Sequence, residues 1–182
     1  MTDANNVLNG VTSVVFDLDG TLYDKRGLAQ RIVARLWWAP PLLVIDRMAR
    51  GGWWRWLVAG RWYRRVYMPT MVQLIGATCP RREAVVALAT EAHQRGLRTV
   101  LYSDYAAIDD KLAVLRIDPA LFDLRIDSPS LGARKPSAEA AQRLMQIAEA
   151  DPKSTLFIGD RDDTDGATAR LLGAKFLQIT DN

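Results

Sequence analysis

Two aspartates, Asp17 and Asp19, stand one residue apart in the run Val14-Val15-Phe16-Asp17-Leu18-Asp19-Gly20-Thr21, directly after a short β-branched and apolar stretch. A second acidic group, Asp160, Asp162, Asp163 and Asp165, follows another apolar run, Thr155 to Ile158. Carboxylates concentrated in this way repel one another unless a cation sits among them, and hard oxygen ligands suit Mg2+. A carboxylate is also a nucleophile, able to form an aspartyl-phosphate that divides one difficult displacement into two easier ones. A second carboxylate two residues on shares its face of the chain and is placed to protonate a leaving oxygen. Ser103, ending the run Leu97 to Tyr102, and Lys135, within Gly132-Ala133-Arg134-Lys135-Pro136, offer a hydroxyl and an ammonium for phosphoryl oxygens. Singly, each residue is ordinary: strand-end aspartates cap helices and a lysine before proline is commonly solvated. Their joint order and placement carries the signal.

The elements that must bring these groups together are legible in the same chain. Val11 to Phe16 reads as a strand buried on both faces. After Arg82 the pattern alternates: helix Arg82 to Arg95 stopped at Gly96, strand Leu97 to Tyr102, helix Ala106 to Leu115, and strand Leu121 to Ile126. Helix Ser137 to Ala150, strand Thr155 to Ile158, helix Asp165 to Leu172 and strand Lys175 to Ile179 follow. Such alternation predicts an α/β fold, a Rossmann-like three-layer parallel sheet. In an open parallel sheet the functional edge is at the carboxyl ends of the strands, where all the candidate groups fall.

The four motifs resemble those of the haloacid dehalogenase-like (HAD) superfamily of phosphohydrolases: DLDGT at Asp17 to Thr21, the serine of LYSDY at Ser103, the lysine of GARKPS at Lys135, and IGDRDDTDGA at Ile158 to Ala167. The resemblance implies that Asp17 is the nucleophile and a magnesium ligand, and that Asp19 is the general acid and base and ligates the metal through its backbone carbonyl. It implies that Thr21 helps position the phosphoryl group or Asp19, that Ser103 binds the transferring phosphoryl, and that Lys135 neutralises charge on it and on Asp17. Asp160 would complete the magnesium site. Asp165 matches the second acid of the last motif and would act from the outer shell, with Asp162 and Asp163 as neighbouring candidates. One departure is Asp104, where many members have asparagine; it is expected to turn away and cap the helix from Ala106.

The resemblance covers nearly everything outside residues 25 to 80, which occupy the slot of a small α-helical cap; residues 1–24 and 81–182 would form the catalytic core. That segment is compositionally distinct. From Lys25 to Arg82 there are twelve basic residues against one acid, Asp46, and all six tryptophans lie there, although the whole chain of 182 residues carries a net charge of only +3. Helical spacing appears over Leu28 to Trp38, Leu42 to Met48 and Trp53 to Tyr67, with Pro69 and Cys79-Pro80 bracketing a last segment. Three readings fit: a Trp/Tyr helical core with solvated arginines, arginines recognising an anionic substrate beside stacking tryptophans, or a basic aromatic helix on an anionic membrane surface or partner protein. No nucleic-acid-reading motif is present.

A small phosphorylated metabolite is therefore the expected substrate and Mg2+ the expected cofactor. A phosphomutase on the same core and a binding or regulatory module using the basic aromatic segment are the alternatives. Dehalogenase chemistry fits less well, since a halide-displacing enzyme has no need of Asp19. The polar N-terminus, the single cysteine (Cys79) and the lack of a run of about 20 apolar residues lead to the expectation of a cytoplasmic protein. His93, in the helix before the second strand, is expected on the surface or in packing, and Cys79 as a neutral thiol.

Overall fold

The computed structural model describes residues 7–38 and 62–180. Five parallel strands form one sheet: β1 (Ser13–Phe16), β2 (Arg98–Ser103), β3 (Leu124–Asp127), β4 (Thr155–Gly159) and β5 (Lys175–Gln178), in the order β3-β2-β1-β4-β5. The chain builds outward from β1 to β3 and then returns to pair β4 on the other side of β1, in register from Ser13 with Thr155 to Phe16 with Ile158. The sheet thus reverses its winding at β1, and the crevice at a parallel sheet's carboxyl edge opens at such a point.

The three inner strands, β1, β2 and β4, are covered on both faces and need no polar alternation. Val14, Phe16, Leu101, Leu156 and Ile158 enter one apolar cluster, while Val15, Val100, Tyr102 and Phe157 enter the other. That period of two divides the helices into layers. One layer holds α3 (Glu83–Gln94) and α4 (Ile108–Leu115); the other holds α6 (Ala138–Ala148) and α7 (Ala167–Leu172), with the short α5 (Ser128–Leu131) between β3 and α6. The fold is the three-layer α/β, Rossmann-like architecture that the alternation predicts. His93 is exposed; Cys79 is buried, and burial pushes its thiol up, as befits an unreactive packing residue.

The segment inserted after β1 leaves and returns through a narrow neck. Tyr23 and Arg81 form an isolated antiparallel bridge, Asp24 N donates to Pro80 O at 2.9 Å, and Arg82 N donates to Leu22 O at 2.8 Å. Beyond the neck lie α1 (Leu28–Arg35) and α2 (Met68–Thr78), the latter continuing from a π-helical turn, Tyr63–Tyr67. Pro69 therefore does not begin a new segment, as the sequence suggests. It sits at the first turn of α2, and the wider preceding turn accommodates a residue with no N–H to give. The anticipated helix Leu42 to Met48 and most of the stripe Trp53 to Tyr67 lie outside the described residues.

Apolar residues of α1 and α2, Leu28, Ile32, Met71 and Ile75, join the same cluster as β1 and α4, so both helices are packed onto the core. Trp62, Tyr63 and Tyr67 pack against it too, with the Tyr63 and Tyr67 rings stacked at 5.3 Å. The aromatic-packing reading thus accounts for these three, whereas Trp37 and Trp38, 74% and 57% exposed, lie outside that core.

The α2–α4 contact is close enough to restrict its residues. A Cβ on Gly76 would lie 2.8 Å from Val114 Cβ. Gly76→Ala gains up to about 1 kcal/mol of helix propensity but must force the helices apart, at about 1–3 kcal/mol. We expect a net loss of about 1 kcal/mol, seen as a lower urea midpoint with an unchanged slope.

Candidate active site

Asp17 follows the last residue of β1, and its N–H donates to Ile158 O at 2.8 Å, extending the β1–β4 ladder by one step. The backbone that positions it is therefore sheet, not loop. One turn later, Thr21 Oγ1 donates to Asp17 Oδ2 at 2.9 Å. The other oxygen, Oδ1, accepts from Lys135 Nζ at 2.7 Å. Lys135 also donates to Asp165 Oδ1 at 2.7 Å and to Tyr102 O at 3.0 Å, so one buried ammonium bridges two carboxylates and the end of β2. Burial works against that charge, yet Asp17 and Asp165 outweigh it and push the Lys135 pKa up.

Asp104 explains how Lys135 reaches the site. Its Oδ1 accepts from Ser128 Oγ at 2.6 Å and from Lys135 N at 3.1 Å. The expectation that Asp104 caps the helix from Ala106 is thereby corrected: α4 begins at Ile108 with Ala107 as N-cap and no side-chain cap. The carboxylate is instead spent on the loop that carries Lys135, where a backbone N–H and a hydroxyl need an acceptor.

Asp19 is surrounded by donors. Lys111 Nζ lies 2.7 and 2.9 Å from its two oxygens, Tyr23 OH donates to Oδ1 at 2.6 Å, and Ser103 Oγ donates to Oδ2 at 2.7 Å. Burial alone would raise the Asp19 pKa, but the Lys111 charge and the hydrogen bonds from Lys111, Tyr23 and Ser103 hold it below the usual carboxylate range. Ser103 is fully buried and turned to Asp19, and Thr21 is fully buried and turned to Asp17. In this conformation each supports a carboxylate.

Lys25 makes the third ammonium contact. Its Nζ donates to the Asp19 backbone carbonyl at 2.7 Å and pairs with Asp160 Oδ2 at 2.6 Å. Gly20, at φ 102°, permits this: a Cβ there would lie 2.5 Å from Asp160 Oδ2 and 2.6 Å from Lys25 Nζ. Asp17, Asp160 and Asp165 each bring a carboxylate oxygen within 4.8 Å of the others. Four carboxylates (Asp17, Asp19, Asp160, Asp165) thus share three ammonium groups. Burial, then Asp165 and Asp19, push the Asp17 pKa up to about 7 against the pull of Lys135. An oxygen-only set with an unbalanced negative charge fits a hard divalent cation.

Asp165, expected to act from the outer shell, is 4% exposed and belongs to this cluster, where it accepts from Lys135. Asp162 and Asp163 do not: they point to solvent and pair with Arg170 at 2.7 Å and Arg161 at 2.5 Å. The candidate acids of the last motif are thereby separated.

Asp17, Asp19, Asp160, Asp165, Lys25 and Lys135 face a cavity of ≈ 600 Å³, within the about 300–1,000 Å³ typical of small-ligand pockets. Three contributors, Lys111, Lys25 and Tyr23, escape the motif reading. Lys111 left a sequence signal: with Ile108, Leu112 and Leu115 it falls on the buried stripe of α4, a place where an unpaired lysine is not tolerated. Tyr23 and Lys25 left none beyond their proximity to Thr21.

The family model "haloacid dehalogenase-like hydrolase" matches residues 11–173. A HAD phosphatase from Thermococcus onnurineus is similar in structure with a TM-score of 0.71 at 15% identity, covering 94% of this chain and 87% of that one. CbbY from Rhodobacter sphaeroides, solved with phosphate, gives 0.68 at 18%, covering 91% and 84%. A mutant of the same CbbY, solved with xylulose-(1,5)bisphosphate, gives 0.64 at 20%, with the same coverage. A search of curated protein sequences returns no match.

The Lys111–Asp19 pair yields a stability prediction. Lys111→Met strands a buried carboxylate and is expected to cost about 3–5 kcal/mol, whereas adding Asp19→Asn to it recovers most of that loss. Denaturant unfolding of both single variants and the double variant measures the coupling; additive losses would mean that the pair contributes nothing as a pair.

Proposed function

Because the chain belongs to the haloacid dehalogenase-like hydrolase family, we propose that it is a Mg2+-dependent phosphatase acting on a small phosphomonoester through an aspartyl-phosphate on Asp17. One observation supports this above the rest: Asp17 faces the cavity at the end of the central strand, with the Lys135 ammonium 2.7 Å from one oxygen and Thr21 2.9 Å from the other. A carboxylate so held has a fixed direction of attack. The phosphate and bisphosphate in the two CbbY structures are in keeping with the reading.

In the first step an Asp17 oxygen attacks phosphorus, and the bond to the alcohol oxygen breaks with its electron pair, that oxygen taking a proton from Asp19. In the second, Asp19 takes a proton from water, whose oxygen attacks phosphorus, releasing phosphate and restoring Asp17. As it stands, Asp19 has the ionised form required for the second step. Serving the first requires it to carry a proton against Lys111 and to free one oxygen from Tyr23 or Ser103. Ser103, released from Asp19, and Lys135 then hold phosphoryl oxygens. Asp17, Asp160 and the Asp19 carbonyl would hold Mg2+, whose charge would offset the carboxylates and the phosphoryl group. Asp165 acts beside them by holding Lys135. Residues 25–80 serve as the cap that excludes water, on a core of residues 1–24 and 81–182, in a cytoplasmic protein.

Asp17→Asn should reduce phosphate release from an aryl phosphate by on the order of 10⁴-fold or more while leaving the circular dichroism spectrum unchanged; full activity in that variant, or activity indifferent to a chelator, refutes the reading. Isomerised sugar phosphate formed without free phosphate would identify a phosphomutase instead. The placement of Lys25 adds a separate expectation. Its ammonium holds the carbonyl and carboxylate assigned to the metal, so Lys25→Met should bind Mg2+ severalfold more tightly by calorimetry. Weaker binding would mean that Lys25 organises the ligands instead of competing for them.

A further inference from the structure

The cavity lining holds two chemically different groups. Asp17, Asp160, Asp165 and Lys135, which meet one another, form its charged floor, and Leu28, Ala29, Ile32 and Val33 of α1 with Met71 of α2 form an apolar wall; Tyr67, Tyr105, Arg161 and Thr164 line it too. Leu28, Ile32 and Met71 are each 5% exposed and anchored in the core, so this wall is fixed by packing; Val33, 55% exposed, forms its open edge. The α1 wall repeats at the helical interval: Leu28, Ala29, Ile32 and Val33 occupy positions i, i+1, i+4 and i+5, which sit together on one side of a helix. No described residue of α1 that lines the cavity carries a polar side chain.

The lining holds a further cation. Arg134 lines the cavity beside Lys135, and its Nε is buried without a hydrogen-bond partner; its guanidinium lies 5.9 Å from the Tyr105 ring centre. A buried donor left unpaired is unfavourable, and an anion at the floor would satisfy it. A phosphoryl group placed at Asp17 would meet Lys135, with Arg134 in the same lining, and an ester group of hydrocarbon would find the apolar wall of α1 and Met71 in the same cavity.

We propose that the substrate is a phosphomonoester of an apolar alcohol, an alkyl or arylalkyl phosphate, whose hydrocarbon lies along the wall made by α1 and Met71 while Arg134 assists Lys135 at the phosphoryl end. This deepens the phosphatase reading and rests on its placement of the phosphoryl group at Asp17. A sugar phosphate is disfavoured along this wall because hydroxyls laid on Leu28, Ile32 and Met71 would exchange water for side chains that return no hydrogen bond. The wall from Leu28 to Val33 is about 7.5 Å long at 1.5 Å per residue, enough for several methylenes.

Binding of n-alkylphosphonates from methyl to octyl, and of phenylalkylphosphonates, to the wild-type protein in Mg2+-containing buffer tests the proposal by calorimetry. Affinity should rise about fourfold per methylene and level off beyond the length of the wall; the phenyl series reports whether rings or chains fit better. Val33→Asp, at the exposed edge where folding is least at risk, should flatten the rise. A flat alkyl series, no binding at any length, an unaltered series in Val33→Asp, or a sugar phosphonate bound as tightly as hexylphosphonate overturns it. Because the readout is binding, the two readings fail separately. Length-dependent affinity in a protein that releases no phosphate refutes only the catalytic reading, and phosphate release with a flat series refutes only this one.

Discussion

Four carboxylates converge where the central strand ends, and three lysines from three separate parts of the chain keep them there. Lys135 spans Asp17 and Asp165, Lys111 closes on Asp19, and Lys25 joins Asp160 to the Asp19 carbonyl. Without those ammonium groups the like charges would not remain at one buried edge, since each carboxylate would protonate or move to water. Burial above all, then the neighbouring Asp165 and Asp19, pushes Asp17 up to about 7 against the pull of Lys135. Three carboxylates whose oxygens lie within 4.8 Å of one another suit an added cation, and Asp17 among them faces the cavity.

The fold serves this arrangement through its layering. Alternate residues of β1 are committed to opposite cores, so the strand has no freedom to shift register, and Asp17 inherits that rigidity through its ladder hydrogen bond to Ile158. Lys111 arrives from α4 and Lys25 from the start of the inserted segment, two residues after the neck residue Tyr23. Tyr23 also donates to Asp19, so the residue that ties the neck touches the chemistry. A movement of the inserted helices would be transmitted to Asp19 through this tyrosine and to Asp160 through Lys25.

Much of this was legible from residue order, because the strand pattern and the four motifs are local features: DLDGT follows its strand, and LYSDY and IGDRDD follow theirs. What was not legible depends on distance across the fold. Lys111 looks like one more charge in IDDKLAVL until its place on the apolar stripe of α4 is noticed, and nothing in the sequence says that its partner is Asp19, 92 residues earlier. Asp104 reads as a helix cap because capping is a local habit of aspartate, whereas its partners, Ser128 and Lys135, come from the far end of β3. Pro69 reads as a boundary because proline usually ends helices, but here the helix widens ahead of it. Local rules fail at these points because tertiary contacts supply what the local alternative would have supplied.

The proposed chemistry at this edge depends on Asp17 being the nucleophile toward phosphorus, and the most direct test is chemical. An aspartyl-phosphate is an acyl phosphate, which borohydride reduces to an alcohol, converting the aspartate to homoserine. Peptide mapping after adding borohydride to protein turning over an aryl phosphate should find homoserine at position 17 and at no other carboxylate. Turnover with an unreduced residue 17, or homoserine at Asp19, Asp160 or Asp165, would contradict that role for Asp17.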